Sequence, residues 1–281
     1  MTEYANPEVL VETDWLEKHV NDAGLAILEV DEDTDAYEKG HIPNAIAIDW
    51  ETELHDLPRR EFVSSEQLAK LLGEKGISSD DTIVIYSANN NWFAAYAYWL
   101  FKYRGVPNDL KLLNGGRKKW ELESRLLTSD VPQRDASTFN IGSENPEIRI
   151  LREDVLQRVQ SGDAAWVDVR SPEEYRGELL APPHLPQEQA QVPGHIPGAA
   201  NITWAKTVKE DGSFKSTDEL RQLYESEGIT QDKDVVAYCR IGERSSHSWF
   251  VLTELLGFEK VRNYDGSWTE YGSLVGVPIE K

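Results

Sequence analysis

Short apolar runs at residues 26–30, 83–86 and 110–113 are answered later in the chain by runs at 165–169, 235–238 and 260–264. Between them lie the stretches 66–72, 92–103, 218–225 and 246–256, whose apolar positions return at helical spacing. Continuous apolar strands alternating with helices predict an α/β fold in which a buried, mostly parallel sheet carries helices on both faces. Such a sheet offers ligands the space beyond the carboxyl ends of its strands. The stripe Trp92, Phe93, Tyr96 and Trp99 has helical spacing and is expected to pack in the core or between domains.

The pattern occurs twice. Gly40-His41-Ile42-Pro43-Asn44-Ala45 returns as Gly194-His195-Ile196-Pro197-Gly198-Ala199, and Ser64-Ser65-Glu66-Gln67 returns as Ser216-Thr217-Asp218-Glu219, both of the latter being helix-capping sequences. Leu113-Asn114-Gly115-Gly116 is matched by Tyr264-Asp265-Gly266-Ser267. An insertion around 179–192, rich in Pro and Gln, accounts for the uneven offset between the copies. These repeats divide the chain into a first domain, 1–128, a weakly patterned linker, 129–146, with Pro132, Gly142 and Pro146, and a second domain, 147–281. Because His41 and His195 stand in both copies, they are expected to fix a turn instead of acting as bases.

Composition narrows the function. Fifty acidic against 29 basic residues leave a formal charge of −21, which disfavours a nucleic-acid partner and an anionic membrane surface. No apolar run has the length of a spanning helix, and the N-terminus lacks the basic-then-apolar order of a signal peptide, so a cytoplasmic protein is expected. With Cys239 as the only cysteine among 281 residues, the chain has no intrachain disulfide and no thiolate-rich metal site.

That cysteine stands at the end of the second copy's central strand. It opens the run Cys239-Arg240-Ile241-Gly242-Glu243-Arg244-Ser245, and a helix follows. A strand-to-helix loop gathers backbone N–H groups into one concavity and adds the positive end of the helix dipole, an arrangement that favours an anion. Arg240 and Arg244 add cations, Glu243 opposes them, and Gly242 permits a tight curl, so the thiol is expected to ionise more readily than a free one. In the first copy Ser87 takes the place of the cysteine, and Ala88-Asn89-Asn90-Asn91-Trp92 follows without an Arg.

A two-domain chain with paired Gly-His-Ile-Pro-x-Ala segments and one Cys-Arg-x-Gly-x-Arg-Ser loop resembles the rhodaneses, the thiosulfate sulfurtransferases. The resemblance implies two tandem rhodanese-like domains, the first catalytically inactive and serving to wall the active-site crevice. It also implies that Cys239 takes the outer sulfur of thiosulfate as a persulfide and passes it to cyanide or another thiophilic acceptor, with no metal or organic cofactor. The residues Arg240, Ile241, Gly242, Glu243, Arg244 and Ser245 would cradle that sulfur, and the segment from Asp168 to Arg176 would bring Arg170 or Arg176 to the substrate anion, unless these form structural ion pairs. His247 is expected to pack or cap.

Other readings remain. Relatives specific for 3-mercaptopyruvate usually carry small uncharged residues after the cysteine, so Arg240 favours thiosulfate, although Ile241 stands where vertebrate thiosulfate enzymes have a second cation. Cys-based phosphatases also pair a thiolate with an Arg in a strand-to-helix loop, but their Arg lies one residue further on, and here only four residues separate Cys239 from Arg244. A non-enzymatic sulfur carrier is the third reading.

Overall fold

The computed structural model describes residues 3–181 and 189–281; positions 182–188, within the Pro- and Gln-rich insertion, lie outside the described residues. In chain order the first half contains β1 (Leu10–Val11), α1 (Thr13–His19), β2 (Leu25–Asp31), α2 (Asp35–Lys39), β3 (Ala45–Asp49), α3 (Trp50–Glu53), the hairpin β4 (His55–Asp56) and β5 (Glu61–Phe62), α4 (Ser65–Glu74), β6 (Thr82–Tyr86), α5 (Ala88–Arg104), β7 (Leu110–Leu113) and α6 (Gly116–Leu122). The second half contains α7 (Arg152–Ser161), β8 (Ala165–Asp168), α8 (Pro172–Tyr175), β9 (Ala200–Asn201), α9 (Thr217–Glu225), β10 (Val235–Tyr238), α10 (Glu243–Phe250), β11 (Val261–Tyr264) and α11 (Ser267–Tyr271). Directly after α10, residues Val251–Leu255 wind as a π-helix.

Two compact units result. One comprises Glu8–Asn145 with Val208–Phe214, the other Met1–Pro7, Pro146–Thr207 and Lys215–Lys281. The first holds a five-stranded sheet in the order β1-β7-β6-β2-β3, the second a four-stranded sheet in the order β11-β10-β8-β9. Every pairing in both sheets is parallel. The central strands are buried almost end to end, Ile83 to Tyr86 in β6 and Val235 to Tyr238 in β10, because helices cover both faces. Phe93, Tyr96 and Trp99 of α5 are buried in the first unit, as their spacing predicts.

The repeat is visible in the hydrogen bonds. Capping boxes start α4 at Ser64 and α9 at Ser216. His41 stacks on Tyr37 with ring centroids 3.8 Å apart, and His195 on Tyr175 at 3.6 Å. Each His Nδ1 meets the carbonyl of its stacking partner, at 2.9 and 2.8 Å, and in each unit a strand tyrosine, Tyr86 or Tyr238, accepts from the following Ile N–H. Both histidines therefore hold a turn. Gly194 must be glycine: at φ 136° a Cβ would stand 2.4 Å from the Glu280 carbonyl oxygen.

The stretch 129–145 has neither helix nor strand, yet it is fixed to the first unit. Ser137 N donates to Gly73 O at 2.9 Å, Gly142 N to Gly105 O at 2.8 Å, and the Arg134 guanidinium pairs with Asp81 at 2.8 Å. Among the described residues no helix is long and apolar enough to cross a membrane, and no group of His, Cys, Asp or Glu is placed to hold a metal ion.

Candidate active site

Strand β10 lies between β8 and β11, and where it ends the chain leaves the sheet at Cys239. The loop that follows is stapled to the start of α11. Cys239 N donates to Ser267 Oγ at 3.0 Å, while the carbonyls of Cys239 and Arg240 accept from Trp268 N and Thr269 N at 3.1 and 3.0 Å. Free donors of one helix start thus serve free acceptors of the loop. Gly242 turns the chain at φ 96°, and a Cβ there would lie 2.6 Å from Asp265 Cα, so only glycine fits. Its carbonyl then accepts from Ser246 N, Ser245 Oγ, Ser246 Oγ and Asn263 Nδ2, at 2.8 to 3.2 Å.

Cys239 Sγ is fully buried inside this loop. Gly242 N–H donates to it at 3.2 Å, the backbone of Ser245 also hydrogen-bonds to it, and Ser245 Oγ stands 3.7 Å away. The Ser245 hydroxyl has one proton, for which Asn263 Oδ1 at 2.6 Å and Gly242 O at 3.0 Å compete with the sulfur, so the backbone donors hold the sulfur more firmly than the hydroxyl does. On the remaining side Glu243 Oε2 approaches Sγ to 3.3 Å.

The thiol does not ionise more readily than a free one, contrary to the expectation from the helix start. Burial pushes the Cys239 thiol up, the Glu243 carboxylate adds to that, and Arg244 together with the Ser245 donors offsets them only in part. The loop's cations explain why. Arg244 is buried and committed to Glu174 of α8 through two hydrogen bonds at 2.9 and 3.1 Å, so its charge is already matched. Burial works to raise the Glu174 carboxyl, but the hydrogen bonds and charge of Arg244 outweigh it and hold it below its ordinary value. The same carboxylate caps α8, accepting from Ser171 N at 3.0 Å. Arg240 is buried as well, and Ile241 is half-buried.

The two arginines of the preceding segment go elsewhere. Arg170 has no exposed surface; it clasps Asp168 at 2.5 Å, donates to Gly194 O at 2.6 Å and lies over the Trp268 ring at 4.8 Å. This is an internal ion pair. Arg176 stands at the surface, paired with Glu178 at 2.8 Å, whereas Cys239 is buried. His247 is buried with its ring edge-on to Trp204 at 5.2 Å, consistent with packing. Three residues that carry the site were not singled out from sequence: Glu174, Asn263 and Ser267. The repeated Tyr264-Asp265-Gly266-Ser267 segment pointed toward Ser267, and a polar Asn inside an apolar strand was the available signal for Asn263.

The first unit repeats the scaffold with Ser87 in the place of the cysteine. Ser87 O accepts from Arg117 N at 3.1 Å, the counterpart of the Cys239–Trp268 staple. Asn89, Asn90 and Asn91 all take left-handed φ, a conformation Asn tolerates better than most residues, and Asn91 folds back to receive Ser87 N at 3.1 Å. Arg117 is a buried cation of this unit, on Glu29 at 2.7 Å. Size does not single out the thiol site either. A hollow of about 500 Å³ lined by Asp163, Trp166, Glu227, Lys233 and Asp234 lies at the opposite, amino ends of β8 and β10.

Similarity to known proteins follows the same outline. The chain is 59% identical over 273 residues to a protein of Saccharopolyspora erythraea provisionally named thiosulfate sulfurtransferase, covering 97% of this chain and 96% of that one. It is 56% identical over 281 residues to the sulfur carrier protein TtuD of Thermus thermophilus, covering 99% and 98%. Among solved structures, wild-type EanB superposes with a TM-score of 0.87 at 23% identity, over all of this chain and 71% of EanB, a likeness of fold. The rhodanese-like domain matches twice, over residues 12–123 and 151–274, one match in each half of the chain and only the second containing a cysteine; the chain belongs to the rhodanese family of sulfurtransferases.

Proposed function

We propose that the protein transfers the outer sulfur of thiosulfate to a thiophilic acceptor, cyanide or a thiol, through a persulfide on Cys239. The observation that carries this reading is the Sγ atom held at 3.2 Å by the Gly242 N–H in a strand-to-helix loop. Sγ attacks the outer sulfur of thiosulfate, the S–S bond of the donor breaks, and its electron pair leaves on sulfite. The terminal sulfur of the persulfide is anionic, and the N–H groups of Gly242 and Ser245, already aimed at the loop interior, are the donors available to it. The acceptor then attacks the outer sulfur, and the cysteine thiolate leaves. Arg240, the residue directly after the cysteine, is the loop cation we assign to the sulfonate of the donor.

The test is direct. Incubation with thiosulfate should release sulfite and add the mass of one sulfur to the protein, and Cys239→Ser should be folded and inactive. Turnover above trace in that variant ends the persulfide mechanism. Pyruvate release from 3-mercaptopyruvate, measured on the same preparation, decides between the two donors. The name of the Thermus relative favours a second reading of the acceptor, a protein thiol in place of cyanide, reached through the same persulfide.

A further inference from the structure

Glu243 looks misplaced in a loop that gathers an anion. It is the first residue of α10, it is 1% exposed, and its Oε2 lies 3.3 Å from the sulfur that must become negative. A carboxylate and a thiolate so close together, away from water, repel strongly. A proton lying along the 3.3 Å contact between sulfur and oxygen removes that repulsion.

Most of the other charged groups around the pair have their own partners. Arg244, on the same helix, has its Nε 3.9 Å from Glu243 Oε1 but is bound to Glu174 from α8. Asp168 at the end of β8 is bound to Arg170, and Asp265 beyond β11 is bound to Arg149 at 2.8 Å. Arg240 follows the cysteine directly, Tyr238 precedes it, and His247 lies one turn along α10 against Trp204. Among the described residues, Glu243 is the carboxylate in hydrogen-bond contact with the sulfur itself.

We propose that Glu243 is the proton acceptor of Cys239. As Sγ closes on the outer sulfur of the donor, the thiol proton moves to Glu243 Oε2. The new S–S bond forms, the donor's S–S bond breaks with its pair on sulfite, and the proton stays on the carboxyl beside an anionic persulfide. No net charge is added to the site before the donor arrives, since the negative charge moves from oxygen to sulfur. That matters for a dianionic donor in a loop whose Arg244 is already neutralised. The neutral carboxyl can then donate a hydrogen bond to the persulfide, and when the acceptor takes the sulfur the proton returns to the cysteine. The inference rests on the persulfide reading above and names one residue of its machinery.

The experiment reads Cys239 without any sulfur donor. Alkylation by iodoacetamide, followed by intact mass, is measured from about pH 6 to pH 8 on wild type, Glu243→Gln and Glu243→Asp. A built-in base makes the wild-type rate nearly flat. Without it, Glu243→Gln should climb about tenfold per pH unit and be at least about tenfold slower near pH 6. Glu243→Asp keeps a carboxylate at a greater distance and should remain flat at a reduced rate, which covers the case in which the glutamine variant does not fold. The proposal is overturned if Glu243→Gln reacts as fast as or faster than wild type near pH 6, since the carboxylate then only suppresses the thiolate. It is equally overturned if Glu243→Asp shows the slope of an ordinary thiol. Sulfite release from thiosulfate by wild type is run alongside: a flat alkylation profile without sulfite supports the proton acceptor and removes thiosulfate as donor.

Discussion

Replacing Arg244 with alanine separates two roles that the loop sequence alone cannot distinguish, a contact for the donor anion and a structural counter-ion. The guanidinium side chain is 5% exposed and its partner Glu174 is 1% exposed, so solvent screening is slight. Removing the cation strands a buried carboxylate, a perturbation that costs about 3–5 kcal/mol. Removing both charges as Glu174→Gln with Arg244→Met leaves no stranded charge and should recover most of that loss, a coupling of about 2–3 kcal/mol. The pH dependence follows with its sign. In wild type the Glu174 carboxyl is held below 4.5, so its contribution is present above that value and is lost as the pH falls through the lower folded pKa. Without Arg244 the largest influence left is burial, opposed by the Ser171 N–H and the charge of Arg170, so the carboxyl should rise and the variant's deficit should shrink as the pH is lowered toward 4.5. Urea unfolding at neutral and mildly acidic pH, with hydrogen exchange of the segment 235–250 as a local reporter, measures both effects. An Arg244→Ala protein within about 0.5 kcal/mol of wild type, with a raised KM for thiosulfate, would refute the counter-ion assignment and return Arg244 to the donor.

Three further outcomes are expected. Ser87→Ala should leave kcat/KM within about twofold of wild type, because the Ser87 hydroxyl donates to Ala88 O and accepts from Ala94 N and has no cation in its loop; a large loss in steady-state sulfite release would reveal a working site in the first unit. Gly242→Ala should lower stability by about 1–3 kcal/mol and abolish most activity, since both φ 96° and the Asp265 contact exclude a Cβ; unchanged melting and turnover would show that the loop shifts freely. Asp31, buried at the end of β2 and pushed up to about 6 by that burial despite hydrogen bonds from Ala88 N and Glu32 N, should make the first unit less stable as the pH rises from 3.8 through about 6. Asp31→Asn should therefore stabilise by about 3 kcal/mol at neutral pH and by little near pH 4, a difference that urea titrations at the two pH values would display.

The α/β architecture, the tandem repeat, the histidine turns and the cysteine at the strand end were all legible along the chain. Each is a local pattern: a buried parallel strand reads as an unbroken apolar run, a capping box spans four residues, and a glycine at a forced turn keeps its neighbours. Partnership was not legible. Arg244 and Glu174 are 70 positions apart, and Asn263 reaches the loop only because β11 lies beside β10, so no local pattern distinguishes a guanidinium that waits for substrate from one already paired. The same holds for charge. Read along the sequence, two arginines and a helix start predict an easily ionised thiol; folding withdraws the sulfur from water, gives Arg244 to Glu174 and sets Glu243 against Sγ, and the thiol is pushed up. Sequence determined which atoms stand at the end of the strand. Desolvation and long-range pairing, which exist only in the folded chain, decided which of them carry charge.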